Sequence, residues 1–219
     1  MFYLCNINII VLESLFISKE NDVEWANVIT HFIGILFSIF AYFHFLPYYS
    51  SNIGLYFFVF GLFAVYTSST LYHLFSRKSV KYTFRLLDHL AIFLLIGGTH
   101  LPFIYGFTEG KTREYLVITI ISLVLLGFVY KIFFFESLKR FSLFYYLALG
   151  WFAVIDIPLM WSKMPIETFI YIMAGGISYT VGTIFYKMVN LKYHHAIWHI
   201  FVIFGSYFHY LAINIMLKN

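Results

Sequence analysis

Two histidines near the C-terminus, His195 and His199, stand four residues apart at the start of an apolar stretch. If this stretch is helical, both imidazoles lie on one helix face about 6 Å apart, a separation that lets them bind one metal ion. His73, at the end of an earlier apolar run, is available as a third ligand. Three histidines with a fourth position open to water form the pattern of a catalytic zinc site.

Ser69 and Asp88 are the candidate catalytic residues beside these ligands. Ser69 precedes His73 by four residues, so its hydroxyl shares a helix face with the imidazole. Asp88 lies at the start of the next apolar run, and a carboxylate there would hold or deprotonate a water molecule at the metal. Simpler roles remain open: helix-to-helix hydrogen bonding for Ser69, an ion pair with Arg85 for Asp88, and an interfacial position for His73.

The composition indicates what kind of fold must hold these residues. Of 219 residues, 62% are apolar and only 11% are charged, whereas a soluble domain carries about 25% charged residues. A core of this size cannot hide so much apolar surface from water. The chain is therefore predicted to be a membrane protein, which excludes a cytosolic enzyme and a nucleic-acid-binding module. The single cysteine, Cys5, excludes an intramolecular disulfide and a thiolate metal cluster.

Seven apolar runs are long enough to cross a bilayer as helices. They are continuously apolar and do not alternate as barrel strands must. We therefore predict an all-α membrane protein, a seven-transmembrane helix bundle over residues 26–219, preceded by an interfacial segment over residues 1–25. The predicted spans are 26–46, 53–75, 85–106, 115–134, 141–161, 167–187 and 196–216.

The distribution of lysine and arginine predicts the orientation, because basic loops stay in the cytoplasm. Of the 14 basic residues, four fall on one side of the predicted bundle and the other ten fall on the side of the N-terminus. The N-terminus is therefore predicted to be cytoplasmic and the C-terminus outside. With a rise of about 1.5 Å per residue, the candidate ligands and the carboxylate then share one layer near the cytoplasmic face. They are His73, Asp88, His195 and His199.

Other polar residues in the spans receive less specific predictions. Glu24, Asn27 and His31 form one stripe at the start of the first span, for which we expect packing or support of the ligands. Four residues toward the other half of the bundle are expected to be satisfied by hydrogen bonds: His44, His100, Asp156 and His209. Three glycines of the sixth span are expected to allow close helix contact: Gly175, Gly176 and Gly182.

Taken together, the motifs resemble those of the haemolysin III family, the bacterial branch of the progestin and adiponectin receptor family. The resemblance implies a seven-helix fold with a cytoplasmic-side zinc bound by the histidine of an SxxxH motif and the two of an HxxxH motif, here His73, His195 and His199. The serine and aspartate positions of the family match Ser69 and Asp88. The matching segments are 24–31, 68–73, 85–89, 97–102, 175–179, 193–199 and 209–210, with Gly182 and Tyr186.

The resemblance also implies a function. The wider superfamily includes alkaline ceramidases, so the expected activity is zinc-dependent hydrolysis of lipid amides or esters, with membrane lipids as partners. Two alternatives stay open: a membrane-homeostasis or receptor-like protein in which zinc is structural, and a haemolytic protein. The family branch and the short loops predict a multi-pass protein of a bacterial inner membrane.

Overall fold

The computed structural model describes residues 15–18, 21–135 and 139–219. Most of the predicted interfacial segment, 1–25, and Cys5 therefore lie outside the described residues. Within the described part, the helices are α1 (Asp22–Phe45), α2 (Gly54–Leu74), α3 (Lys78–Phe107), α4 (Gly110–Phe134), α5 (Lys139–Trp151), α6 (Ala153–Met160), α7 (Ile166–Lys187) and α8 (His194–Met216), with a 3-10 turn at Leu46–Tyr48.

The described helices form seven segments long and apolar enough to cross a membrane, with α5 and α6 together making the fifth. This confirms the prediction of an all-α bundle with seven spans. Large apolar side chains face outward, as shown by Phe133 at 75% and Phe144 at 67% exposure. Such a surface is unfavourable in water and favourable against lipid hydrocarbon.

Two helices begin five or more residues before the apolar runs predicted for them. Helix α3 begins at Lys78 rather than at residue 85, and α4 begins at Gly110 rather than at residue 115. Hydropathy locates the apolar part of a span, whereas charged residues extend the same helix into the interface without a penalty. As a result, Lys78 and Lys81 lie on α3 itself instead of in a loop.

The fifth span is not one continuous helix, although 141–161 was predicted as a single run. Helix α5 ends at Trp151 and α6 begins at Ala153. Gly150 and Pro158 lie on either side of this break. Glycine weakens a helix, and proline removes one backbone hydrogen bond and clashes with the preceding turn.

Helix α3 lies at the centre of the bundle, against α2, α4, α5, α6 and α8. Its contact with α2 is close because glycines remove side chains from the interface. A Cβ atom on Gly61 of α2 would lie 2.8 Å from the Cα atom of Leu95 on α3. Gly98 of α3 similarly faces the backbone of Phe57 on α2.

The glycines of α7 are packed as expected. Gly182 lies against the Trp198 ring and Gly175 against the His209 ring, both on α8. Helix α8 packs in turn on α1, and α1 packs on α2. The N-terminal ends of α1 and α8 are thereby held beside the C-terminal end of α2.

Residues 15–18 lie at this same end of the bundle. The backbone N–H of Ile17 donates to the Leu74 carbonyl at 3.0 Å, and that of Ser76 donates to the Leu15 carbonyl at 2.8 Å. These bonds attach the described piece of the N-terminal segment to the end of α2, just beyond His73.

Candidate metal centre

Three histidines from two helices meet at this end of the bundle. His73 lies in the last turn of α2, whereas His195 and His199 lie in the first two turns of α8. One ring nitrogen of each lies within 4.8 Å of the others. His73 and His199 are buried, with 4% and 1% of their surface exposed. The structure thus brings together the three residues that spacing and depth had singled out.

The orientation of His73 is set by a carboxylate on α1. Nδ1 of His73 lies 2.6 Å from Oε2 of Glu24, and Oε1 of Glu24 accepts a hydrogen bond from Nζ of Lys81 at 2.8 Å. An ionised carboxylate only accepts hydrogen bonds, so Nδ1 carries the proton and Nε2 presents its lone pair. Nε2 of His73 is buried and has no hydrogen-bond partner among the described residues.

His199 is held in a similar way by Thr30 of α1. Nδ1 of His199 lies 3.1 Å from Oγ1 of Thr30. The Thr30 hydroxyl donates its proton to the carbonyl of Ala26 at 2.8 Å or of Asn27 at 2.9 Å. The hydroxyl oxygen is therefore the acceptor for His199, and Nε2 of that ring is left as its lone-pair nitrogen. The spacing of the α1 stripe indicated a supporting role for Glu24 and Asn27, but it did not single out Thr30.

His31 adds a fourth imidazole to the cluster. Its ring lies against that of His199, with 3.6 Å between the centroids and a tilt of 31°, and it makes an edge contact with Tyr66. Neither nitrogen of His31 has a hydrogen-bond partner within the described part of the chain. The ring therefore fixes the plane of His199 by packing against it.

Ser69 and Asp88 line one cavity together with His195 and His199. The Ser69 side chain faces Asp88, but its hydroxyl makes no hydrogen bond of good geometry among the described residues. A histidine at the membrane interface would be exposed, so this simpler role does not fit His73 at 4% exposure.

The cavity has a volume of about 290 Å³ and is lined mostly by apolar side chains of α3, α5, α6, α7 and α8. The fifth span, which contributes to its walls, packs only lightly on its neighbours. From the histidine cluster the cavity extends to the opposite half of the bundle, where it reaches His100, Asp156 and His209. The site is therefore one end of a long apolar chamber.

The chemistry of the cluster fits a bound metal ion. Its three donors are imidazoles, which are common zinc ligands, and a carboxylate or hydroxyl orients two of the rings as in known metal sites. A buried lone-pair nitrogen without a partner, such as Nε2 of His73, is unfavourable unless a cation or a proton donor occupies the space beside it. The described residues place no fourth histidine, cysteine or carboxylate ligand within the same 4.8 Å.

The prediction for the other half of the bundle is only partly correct. His44 is satisfied, since its Nε2 lies 3.2 Å from Oδ1 of Asn214. In contrast, one polar atom in each of His100, Asp156 and His209 is buried without a hydrogen-bond partner among the described residues. Sequence patterns locate polar residues in a span, but they do not show whether a partner faces them.

Fold and site together define a seven-span membrane protein with a buried histidine cluster. A family model for haemolysin-III-related proteins matches residues 19–210. The chain is 40% identical over 199 residues to the hemolysin-3 homolog of Bacillus subtilis, covering 88% of this chain and 92% of that protein. It is 36% identical over 189 residues to hemolysin-3 of Bacillus cereus, covering 84% and 86%.

A more distant match extends to animals. The human monocyte to macrophage differentiation factor is 27% identical over 159 residues, covering 70% of this chain and 66% of that protein. The family model and the Bacillus proteins show that the chain belongs to the haemolysin-III-related family. It is an integral, multi-pass membrane protein.

Proposed function

We propose that this protein is a zinc-dependent hydrolase of membrane lipid amides or esters, similar in activity to a ceramidase. The observation that carries the proposal is that two members of the three-histidine cluster, His195 and His199, line one mostly apolar cavity together with Ser69 and Asp88. His73, His195 and His199 would hold the ion. Bound zinc would supply Lewis acidity for a carbonyl oxygen and would lower the pKa of a coordinated water toward about 7.

Asp88 and Ser69 handle protons in this proposal. The Asp88 carboxylate lines the cavity and would accept a proton from the attacking water as general base, then return it to the departing amine or alcohol as the acyl C–N or C–O bond breaks. The hydroxyl of Ser69 faces Asp88 and would turn to donate to one of its carboxylate oxygens, which orients the carboxylate. Glu24 and Thr30 keep the lone-pair nitrogens of His73 and His199 directed at one point.

The cavity supports the proposed substrate class. Its apolar walls suit an acyl chain, because burying hydrocarbon there costs no polar contacts. The lightly packed fifth span, α5 and α6, would let a lipid enter sideways from the bilayer. We infer that the histidine end of the cavity faces the cytoplasm across a bacterial inner membrane, and the excess of basic residues on the N-terminal side supports this orientation.

The test is turnover by the purified, zinc-loaded protein in lipid nanodiscs. Ceramides, acyl lipids and phospholipids are supplied, and released fatty acid is measured by mass spectrometry. We expect turnover by the wild type and a loss of about 100-fold or more in Asp88→Asn, the range for removal of a general base. Glu114→Gln, at an exposed carboxylate on α4, is the matched control and should keep full activity.

Failure on all three lipid classes by zinc-loaded protein, together with an unchanged cellular lipid profile in His199→Ala, would sink the hydrolase proposal. A structural role for zinc is the second candidate. It is favoured by the way the cluster ties helices together: Glu24 on α1 bonds both His73 on α2 and Lys81 on α3. That role predicts that removal of zinc lowers the unfolding temperature while no lipid is cleaved.

A lytic role is the third candidate and has the least support. The Bacillus relatives carry the name hemolysin-3, but a pore needs a polar lumen, and the cavity described here is mostly apolar. Leakage of a trapped dye from liposomes at low protein-to-lipid ratio would favour it. We expect no more leakage than from liposomes without protein.

A further inference from the structure

The end of the cavity remote from the histidine cluster contains a second group of polar side chains. His100 on α3, Asp156 on α6 and His209 on α8 all line it. They are 7%, 3% and 7% exposed, respectively. We call these three residues the second polar pocket. They come from three different helices, so their presence on one cavity is a property of the fold and not of one helix face.

Each member of the second polar pocket presents a hydrogen-bond acceptor. Nδ1 of His100 lies 2.8 Å from the Ile96 carbonyl and donates to it, so Nε2 of the neutral ring is an acceptor. The ring of His209 donates to the Ile172 carbonyl, which makes its Nδ1 an acceptor. The third acceptor is a carboxylate oxygen, Oδ1 of Asp156. None of the three atoms has a hydrogen-bond partner in the described part of the chain.

Three buried acceptors facing one cavity are costly unless donors occupy it. A metal ion does not fit the arrangement, because among the described residues only His73, His195 and His199 bring three ligand atoms within 4.8 Å. An anionic group does not fit either, since it would add a further acceptor to the existing three. The matching chemistry is a polyatomic group with several N–H or O–H donors.

The separation of the two ends defines the length of such a molecule. His209 follows His199 by ten residues on α8, which is about 15 Å along the helix. On α3, His100 follows Asp88 by twelve residues, or about 18 Å. Apolar side chains such as Val202, from α8, line the stretch between.

We propose that the second polar pocket binds the donor-bearing terminus, a hydroxyl or a protonated amine, of an elongated amphiphile whose hydrocarbon chain fills the middle of the cavity. His100 and His209 accept from this terminus with their lone-pair nitrogens, and Asp156 accepts with its carboxylate. The ligand class is therefore a long-chain molecule with a polar group at each end. The proposal does not rest on the hydrolase function, because the pocket shares no side chain with the histidine cluster.

Binding of matched probes tests this proposal. The full chain is placed in nanodiscs and titrated with dodecanoic acid, with 12-hydroxydodecanoic acid, with 12-aminododecanoic acid and with dodecanedioic acid. All have the same carbon chain, whose extended length is of the order of the cavity, and the carboxylate that they share does not fit the second polar pocket. We expect the hydroxy acid and the amino acid to bind about tenfold more tightly than dodecanoic acid, the gain from one additional well-made hydrogen bond. The diacid should bind no better than dodecanoic acid.

Variants show whether the pocket causes the preference. In His100→Leu and in Asp156→Leu, the affinity ratio of 12-hydroxydodecanoic acid to dodecanoic acid should fall to about one. The ratio is internal to each variant, so partial loss of folded protein does not imitate this result. Ile155→Leu, a change at an exposed apolar residue next to Asp156, should leave the ratio unchanged. The proposal is overturned if the wild type binds the hydroxy acid and dodecanoic acid equally, as expected when water alone fills the pocket, or if the preference survives in both pocket variants.

The same titration in a His195→Ala, His199→Ala background separates this proposal from the proposed function. The preference for a second polar terminus should persist there, whatever happens to zinc or to turnover. Loss of the preference only in that background would assign it to the histidine cluster and overturn the second polar pocket.

Discussion

Glu24 and His73 are joined by a hydrogen bond of 2.6 Å between Oε2 and Nδ1, which leaves Nε2 of the same ring buried and without a partner among the described residues. A carboxylate behind a histidine fixes the tautomer and raises the basicity of the outer nitrogen, an arrangement common behind metal ligands. The bond also crosses between helices, since Glu24 is on α1 and His73 is on α2.

Replacement of Glu24 by glutamine should therefore weaken metal binding. The amide is nearly isosteric but carries no charge and no longer dictates the tautomer of His73. We expect the zinc affinity, measured by competition with a fluorescent chelator, to fall by about 10- to 100-fold. Asp22→Asn is the matched control. Asp22 is an acidic residue on the same helix turn, but its carboxylate accepts hydrogen bonds from Lys192 and Tyr193 instead of from a histidine of the cluster. An equal loss of affinity in both variants would contradict a specific role for Glu24.

Thr30 makes a second prediction, at His199. Thr30→Val keeps the branched shape but removes the oxygen that accepts from Nδ1 of His199. We expect the zinc affinity to fall by about tenfold, while Thr30→Ser, which retains the hydroxyl, should bind zinc as the wild type does. If valine and serine variants bind zinc equally well, the hydroxyl does not orient His199.

Close packing of α2 on α3 can be tested at Gly61. An alanine Cβ there would lie 2.8 Å from the Cα of Leu95 and 2.9 Å from the carbonyl oxygen of Leu94, and backbone atoms cannot move aside easily. Gly61→Ala should lower the free energy of unfolding by about 1–3 kcal/mol, measured by denaturation in mixed micelles. Gly150→Ala is the control, since a Cβ at Gly150 meets nothing within 4 Å. If Gly150→Ala is destabilised and Gly61→Ala is not, the close packing of α2 on α3 at Gly61 is wrong.

The exposed pair of Glu109 and Lys163, on two loops of the opposite end, predicts a small pH dependence. Lys163 hydrogen-bonds Glu109 at 2.6 Å and holds the pKa of Glu109 below its usual 4.5. A depressed carboxyl pKa contributes stability above the unfolded-state pKa, and this contribution is lost as the pH falls through the folded-state value. Glu109→Gln should therefore reduce the loss of stability on acidification below about pH 4.5.

The effect should also fade in high salt, because the pair is open to solvent. Unfolding temperatures of the wild type and Glu109→Gln at pH 7 and below pH 4, at low and high salt, measure it. Identical pH profiles would show that the pair contributes nothing to folding.

The approach of His73 to His195 and His199 could be predicted from the sequence because depth in a bilayer follows from counting residues. The rotation of each helix about its own axis does not follow from such counting. The contact of Glu24 with His73 depends on how α1 is rotated toward α2, and that rotation is decided by packing at glycines such as Gly34, which faces the Tyr66 ring. For this reason the stripe on α1 indicated support for the ligands without showing which ligand each residue supports.

The interrupted fifth span and the second polar pocket illustrate the same limit. Gly150 and Pro158 both weaken a helix and can be read from the sequence. Hydropathy, however, is averaged over a whole segment, so it predicts one continuous span. His100, Asp156 and His209 lie on three helices far apart in sequence, so only the assembled bundle shows that they face one cavity and lack partners among the described residues.

The central claim is that three histidines bind one zinc ion, and metal content measures it most directly. Mass spectrometry of purified wild-type protein should find about one zinc per chain. His195→Ala and His199→Ala should lose it, while His44→Ala, which removes a histidine bonded to Asn214 outside the cluster, should retain it. Folded wild-type protein without zinc, or zinc retained in both cluster variants, would contradict the metal centre and leave the histidines as a packing cluster.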